Sequence, residues 1–346
     1  MKERGRNMRL NIIGNGFDLY HGLPSSYYYF GCFLASRYPE FYREMSDMYG
    51  FQCFQKTGYD DYETVVCDKF WSTFEEQLGY LDASWMEGRL VDDLGLECDD
   101  PVDLDIPERV NSEIIKEKFR EWVCTTVNTK RNFDIVKSSI SSKKCRFRHD
   151  DHFVNFNYTH TLSEIYGISN DRIIHIHGKC ELDEQWSDLI VGHGNSKRIQ
   201  EINQEICEIE AGTDWIGFQS ERNRLNEYKC EKTILQDLIK DVSDLSSKLV
   251  WQLRSKKLQV EEIKVWGLSC GPVDEGYIEA LHREYPNAKW KFSYYFPGDK
   301  PKRFMFAKRL GLAKVGCFQF NNQNSDMILR EIVKVNKITE YEKLYD

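Results

Sequence analysis

Short apolar runs bounded by glycine and turn residues recur along the chain, with longer stretches of helical spacing between them. The run at 9–13 (RLNII) ends in Gly14-Asn15-Gly16, the pattern of a buried strand entering a glycine turn. Comparable runs stand at 152–156 (HFVNF), 172–176 (RIIHI), 189–191, 262–266 (EIKVW), 289–296 and 315–320. Helical patterns lie between them: an aromatic-rich stretch up to residue 49 that follows Pro24-Ser25-Ser26, a segment at 274–284, and a helix from about Lys302. This alternation predicts an α/β fold with a mostly parallel sheet. Strands 9–13, 152–156, 172–176, 262–266 and 289–296 are expected in one layer.

Two blocks depart from the alternation. Residues 50–145 carry no clear strand pattern. Phe70, Phe74 and Leu78 fall at helical spacing, 92–105 is acidic and reads as a surface loop, and 106–136 is amphipathic with a weak interruption at Thr125-Thr126. A second mainly helical block covers 197–256. The expected organisation is one α/β domain over 1–346 with helical insertions at 50–145 and 197–256. Within the first insertion Trp71, Phe74, Glu75 and Glu76 form a compact patch. Adjacent glutamates point about 100° apart on a helix, so at most one of them faces inward.

Composition narrows the class. At 41% hydrophobic and 30% charged residues, the chain can build a sizeable core and is not globally disordered. No apolar run approaches the roughly 18 residues that span a bilayer, and the N-terminal run is too short for a signal peptide. The net charge of −9 argues against a general grip on nucleic acid, although basic spots at 254–257 and 300–303 leave a local one open. Eleven widely spaced cysteines without a CxxC pair read as free buried thiols in a reducing cytoplasm, not as a disulfide framework or zinc site.

The candidate chemistry is concentrated at strand ends. Of eight histidines, five (His21, His160, His175, His177 and His193) lie there or in the following turns, where an open α/β sheet forms its ligand crevice. Gly14-Asn15-Gly16, followed by Asp18, can bring backbone N–H groups close to a phosphate, or can simply make a tight turn. Asn155 and Asn157 can orient a ribose hydroxyl or a water, or cap the next helix. His175 and His177, two apart on a strand, are expected on one face. They could bind metal, but no third ligand is fixed by spacing, and one histidine acting as general base is better supported. His193 sits in a second glycine-flanked turn. Gly267, Ser269 and Asp274 follow the strand at 262–266. They could hold a ribose, with Asp274 as a plain helix cap the alternative.

Taken together, IIGNGFDLYHGLPSSY, WSTFEEQLG, NFNYTHTL with IHIHGK, and VGHGN followed by WGLSCGPVDEGYI resemble, in order, the AbiH family associated with bacteriophage abortive infection. The order of glycine loop, NYT, HG and GLS…D is also similar to sirtuin-like NAD-binding domains. That likeness implies a Rossmann-like sheet and matches Asn157 and His177 to the catalytic positions at the nicotinamide ribose. It matches Gly14, Asn15 and Gly16 to the phosphate loop, and Gly267 and Ser269 to the loop along the adenosine side. Asp18, His193 and Asp274 complete the expected nucleotide site. Without zinc-ribbon cysteines, a deacetylase is not expected.

The expectation is therefore a cytoplasmic antiphage effector that hydrolyses the N-glycosidic bond of NAD, with NAD as substrate and no metal. Asn157 would place water or ribose, and His177 would accept a proton. The alternative is a nucleotide-sensing or nucleic-acid-targeting defence protein using the same pocket; a decayed scaffold is a weaker third. A homo-oligomer or a partner defence subunit is left open, and no membrane is expected.

Overall fold

Strand β1 (Met8–Ile13) is the middle of a six-stranded sheet in the order β5-β4-β1-β6-β7-β8. The others are β4 (His152–Asn155), β5 (Ile173–His175), β6 (Val260–Trp266), β7 (Lys289–Tyr294) and β8 (Val315–Gln319), and every pairing is parallel. The computed structural model describes residues 8–59, 61–82, 85, 111–140, 145–181, 189–212 and 219–344. The acidic stretch 92–105, positions 106–110 and Cys98 lie outside them.

The five strands expected in one layer are in one layer, and β8 joins them. The chain starts in the centre, steps out to β4 and β5, then returns to β6 on the other side of β1. This is the Rossmann-like doubly wound order, with its reversal point between β1 and β6. Alternate side chains feed two cores. Leu10, Ile12, Val154, Ile263 and Val265 enter one, and Ile13, Phe153, Ile173 and Trp266 the other. Burial on both faces is why these strands read as nearly continuous apolar runs.

Two polar groups are built into the base of the sheet. Asn11 is fully buried, and its Oδ1 accepts from Trp266 Nε1 at 3.0 Å. Arg9 is 6% exposed and its Nε donates to both oxygens of the fully buried Asp151, at 3.0 and 3.1 Å; Asp151 also accepts from the Arg148 backbone N–H. Removing one partner of such a pair strands the other charge. Asp151→Ala is expected to lower stability by about 3–5 kcal/mol, read by urea denaturation. A loss below about 1 kcal/mol would mean the pair is solvated.

The chain divides into two compact units. The first comprises residues up to 26, 120–190 and 241–338, and the second 27–119, 191–240 and 339–346. These boundaries differ from insertions at 50–145 and 197–256. The aromatic helices α2 (Tyr27–Arg37) and α3 (Pro39–Tyr49) belong to the second unit, while the segments after 119 and after 240 belong to the first. Pro39 opens α3 and Gly50, at φ 66°, closes it.

The second unit also contains strands that the sequence did not announce. A three-stranded sheet pairs β2 (Phe54–Lys56) antiparallel to β3 (Tyr62–Cys67), and β3 parallel to β9 (Glu342–Leu344). Residues 50–145 are therefore not all helix and loop. The helical spacing of Phe70, Phe74 and Leu78 corresponds to two short helices, α4 (Asp68–Ser72) and α5 (Phe74–Gln77), whose Trp71 and Phe74 are fully buried against Phe30. Of the adjacent glutamates, Glu75 turns inward and accepts from the buried Lys240 Nζ at 2.6 Å, while Glu76 stays exposed. Helices α9 (Ser196–Gly212) and α10 (Gln219–Asp237) complete this unit's described helices from the second block.

The interruption expected at Thr125-Thr126 is a π-helical turn at Val123–Val127, between α6 (Ser112–Trp122) and α7 (Lys130–Ile140). Thr125 Oγ1 donates back to the Glu121 carbonyl at 2.7 Å, competing with the regular ladder. Fully buried Asn132 then donates to the Thr126 and Val127 carbonyls. In the run at 189–191 Leu189 and Val191 are buried and Ile190 is partly buried, but it is not a strand. The remaining helices of the first unit are α1 (Asn15–Tyr20), α8 (Thr161–Tyr166), α11 (Val242–Ser255), α12 (Pro272–Glu284), α13 (Asp299–Arg309) and α14 (Ser325–Asn336). No described helix is long and apolar enough to cross a membrane. The ten described cysteines are free, and Cys207 is exposed, so not all are buried as expected.

Candidate functional site

Parallel pairing places the carboxyl ends of β1, β4, β5 and β6 along one edge of the sheet. Ile13 is in register with Asn155 and Trp266, and Asn155 with His175. The residues that follow these positions therefore share that edge: Gly14 to Gly16 after β1, Asn157 after β4, His177 after β5, and Gly267 to Ser269 after β6.

The two glycine turns meet backbone to backbone. Gly14 N–H donates to the Trp266 carbonyl at 2.9 Å and Gly16 N–H to the Gly267 carbonyl at 2.8 Å. A Cβ on Gly14 would lie 2.7 Å from Leu268 Cα, and one on Gly16 2.8 Å from Gly267 Cα. The glycines that could admit a phosphate here admit another loop. Asn15 Nδ2 ties the same turn to the Ser25 carbonyl at 3.0 Å.

Asp18 lies behind this turn and is only 1% exposed. Its Oδ2 accepts from Thr159 Oγ1 at 2.6 Å and Asn157 Nδ2 at 3.1 Å, and its Oδ1 from Thr161 Oγ1 at 2.6 Å. Burial pushes its carboxyl up to about 6, although all three hydrogen bonds pull the other way. Asn157 Nδ2 also donates to the Gly14 carbonyl at 3.0 Å. Asn157 and Asp18 thus link the NYT segment to the glycine turn, with Asp18 enclosed within the protein.

The two histidines of IHIHGK do not share a face. Strand β5 stops at His175, so the two-residue alternation does not carry to His177, which sits in the following turn. His177 is 6% exposed and packs against Phe156, Tyr158 and Tyr277. Its Nδ1 is 3.3 Å from the Phe156 carbonyl and must donate there. Its Nε2, 3.3 Å from Tyr277 Oη, accepts. His175, half-buried, lies instead beside Asn155 Nδ2 at 3.5 Å. Burial lowers His175 to about 4, with His160 and Lys179 adding to the effect, so it is neutral at pH 7.

Of the groups around His175, the sequence pattern singled out His160 but not Lys179 or Glu181. Glu181 pairs with Lys179, and His160 Nε2 lies 3.8 Å from Glu181 Oε1. The Lys179 ammonium holds Glu181 below the usual carboxylate range, so it is ionised. The usable signal was position: all three follow the β4 and β5 ends within six residues.

The other expected site residues divide. Ser269 Oγ donates to Asp274 Oδ2 at 2.7 Å, and Asp274 Oδ2 also accepts from the Gly271 N–H at 3.1 Å; Asp274 therefore caps α12. His193 belongs to the second unit. There its Nδ1 accepts from the Asn195 N–H and its Nε2 donates to the Leu235 carbonyl, both at 3.0 Å. His21 is fully buried between the Phe17 carbonyl and Tyr166 Oη. Among the described residues no group of three or more His, Cys, Asp or Glu is arranged to hold a metal ion.

The strand order and this polar carboxyl edge define the chain as a Rossmann-like α/β protein. A family model described as Bacteriophage abortive infection AbiH matches residues 10–294. The chain belongs to the AbiH family, which gives it a role in abortive-infection defence against phage. No curated protein and no solved structure matches it significantly.

Proposed function

We propose that the protein acts in abortive infection by hydrolysing the N-glycosidic bond of NAD bound along the carboxyl edge of its sheet. The observation that carries this reading is the gathering of Asn155, Asn157, His160, His175, His177 and Lys179 at the ends of two neighbouring strands, beside the reversal point of a doubly wound sheet. Cleavage of a glycosidic bond develops positive charge on the ribose, and water must then lose a proton. The ionised Glu181 suits the first need. His175, partly buried and neutral at pH 7, carries an imidazole lone pair for the second, and its low pKa makes it a weak base that relies on position beside the water. Asn157 is a positioning residue in this reading, because its amide nitrogen donates to the Gly14 carbonyl and to Asp18, both internal ties.

The test separates the two histidines. His175→Ala is expected to reduce nicotinamide release from NAD by about 10²–10⁴-fold and to abolish phage protection, with little change in melting temperature. His177→Ala is expected to destabilise by about 1–3 kcal/mol, and the protein that stays folded should keep its turnover. Undiminished NAD cleavage by folded His175→Ala protein, or no cleavage by the wild-type protein in infected cells, would overturn the reading.

A further inference from the structure

The glycine turns at the β1–β6 junction direct the Gly14 and Gly16 N–H groups to carbonyls at the end of β6 and in the turn after it. A bound diphosphate must therefore find its main donors elsewhere on this edge. They stand one strand further along. A cavity of about 290 Å³ opens where the loop after β6 meets α13, lined by Ser269, Cys270, Asp299, Lys302, Arg303 and Phe306.

Of the two cations here, one is held in place by the fold. Arg303 Nη1 donates to the Ser269 carbonyl at 2.6 Å, which fixes the guanidinium. Its Nε is enclosed and has no acceptor among the described residues. On a cavity wall such an N–H is available to an acceptor that enters the cavity, and the guanidinium also bears on the Cys270 thiol beside it. Lys302, exposed and with its Nζ 3.5 Å from Asp299 Oδ1, adds a second cation, and both stand in the first turns of the 11-residue helix α13, whose amino end favours anions. The nearby carboxylates are already engaged. Asp299 Oδ2 accepts from the Phe296 N–H at 3.2 Å, and Asp274 Oδ2 from Ser269 and Gly271. On the turn leading into α13, Phe296 is 65% exposed, with its ring 4.6 Å from that of Tyr295.

We propose that this cavity binds the diphosphate of a nucleotide, with Arg303 and Lys302 as its cationic ligands and Phe296 as a stacking face for the base. Arginine suits the role because its planar fork matches two phosphate oxygens at once. The assignment rests on the reading of this edge as a nucleotide site, and it locates the phosphates away from the Gly14–Gly16 turn.

Isothermal titration of the full chain with ADP-ribose and with inorganic pyrophosphate tests it. Both are expected to bind, and Arg303→Gln and Lys302→Gln should each weaken both by about 10- to 100-fold. Phe296→Ala should weaken ADP-ribose by about tenfold or more and leave pyrophosphate unchanged. Lys302 is 78% exposed, so its variant keeps the test usable should Arg303→Gln fail to fold. Failure of both ligands to bind the wild-type protein, equal binding by the charge-removed variants, or tighter binding of a single-stranded oligonucleotide than of ADP-ribose would overturn the assignment. Neither ligand contains the nicotinamide bond, which keeps this outcome separate from catalysis. Binding that depends on Arg303 without NAD turnover supports the cavity and removes the hydrolase reading. NAD turnover with a KM indifferent to Arg303 and Lys302 does the reverse.

Discussion

Gly267→Ala is expected to abolish soluble expression, or to cost more than about 4 kcal/mol in whatever folds. Two independent effects add. Gly267 sits at φ +62°, where an L side chain costs about 1–2 kcal/mol. Its new Cβ would also lie 2.3 Å from Phe17 N, 2.4 Å from Gly16 C and 2.6 Å from Gly16 Cα. These are backbone atoms of the turn after β1, so no side chain can rotate away. The only relief is to part the β1 and β6 ends, which breaks the Gly14 and Gly16 hydrogen bonds. Gly167→Ala separates the two effects. Gly167 has φ +66° and nothing within 4 Å of its would-be Cβ, so its variant measures the backbone effect alone. Urea unfolding of both should show Gly267→Ala far more damaged; similar losses would mean that the two turns are free to separate.

Asp18→Ala is expected to remove about 3 kcal/mol or more, because it leaves Thr159, Thr161 and the Asn157 amide facing a hole. Asp18→Asn is a gentler probe. Its Oδ1 can accept from Asn157 and Thr159 while its amide donates to Thr161, and it carries no charge to bury. The wild-type carboxyl holds its proton more tightly folded than unfolded, with about 6 against an ordinary 3.8. Its stabilising contribution is therefore complete below about pH 4 and is lost as pH rises through about 6, a swing on the order of 3 kcal/mol. Urea unfolding from pH about 4 to about 7 should show this loss in the wild-type protein and a flatter profile in Asp18→Asn. Parallel profiles would mean that Asp18 is ionised throughout.

The strands of the parallel sheet were legible because burial on both faces demands continuous apolar runs, and their ends were legible because glycine or asparagine turns follow them. The helix end at residue 49 was legible for the same local reason, whereas the aromatic stretch read as one helix is broken in two before Pro39. Strands β2, β3 and β9 were not. β2 is three residues long, and β3 has β9 as its parallel partner from the far end of the chain, a pairing that no local pattern encodes.

The candidate site divides in the same way. Spacing alone determined that Gly14, Asn157, His177 and Ser269 each follow a strand, and parallel pairing then brings those ends to one edge. Which of them faces outward was decided only by the tertiary structure. β5 stops at His175, so His177 turns into the core against Tyr277 while His175 keeps access to Lys179, His160 and Glu181. Gly16 and Gly267 are glycines for a reason visible only across the sheet: each occupies the space where the other's side chain would stand. Residue types and local turns follow from near neighbours in the chain, whereas exposure, partner and charge state depend on groups brought close by folding.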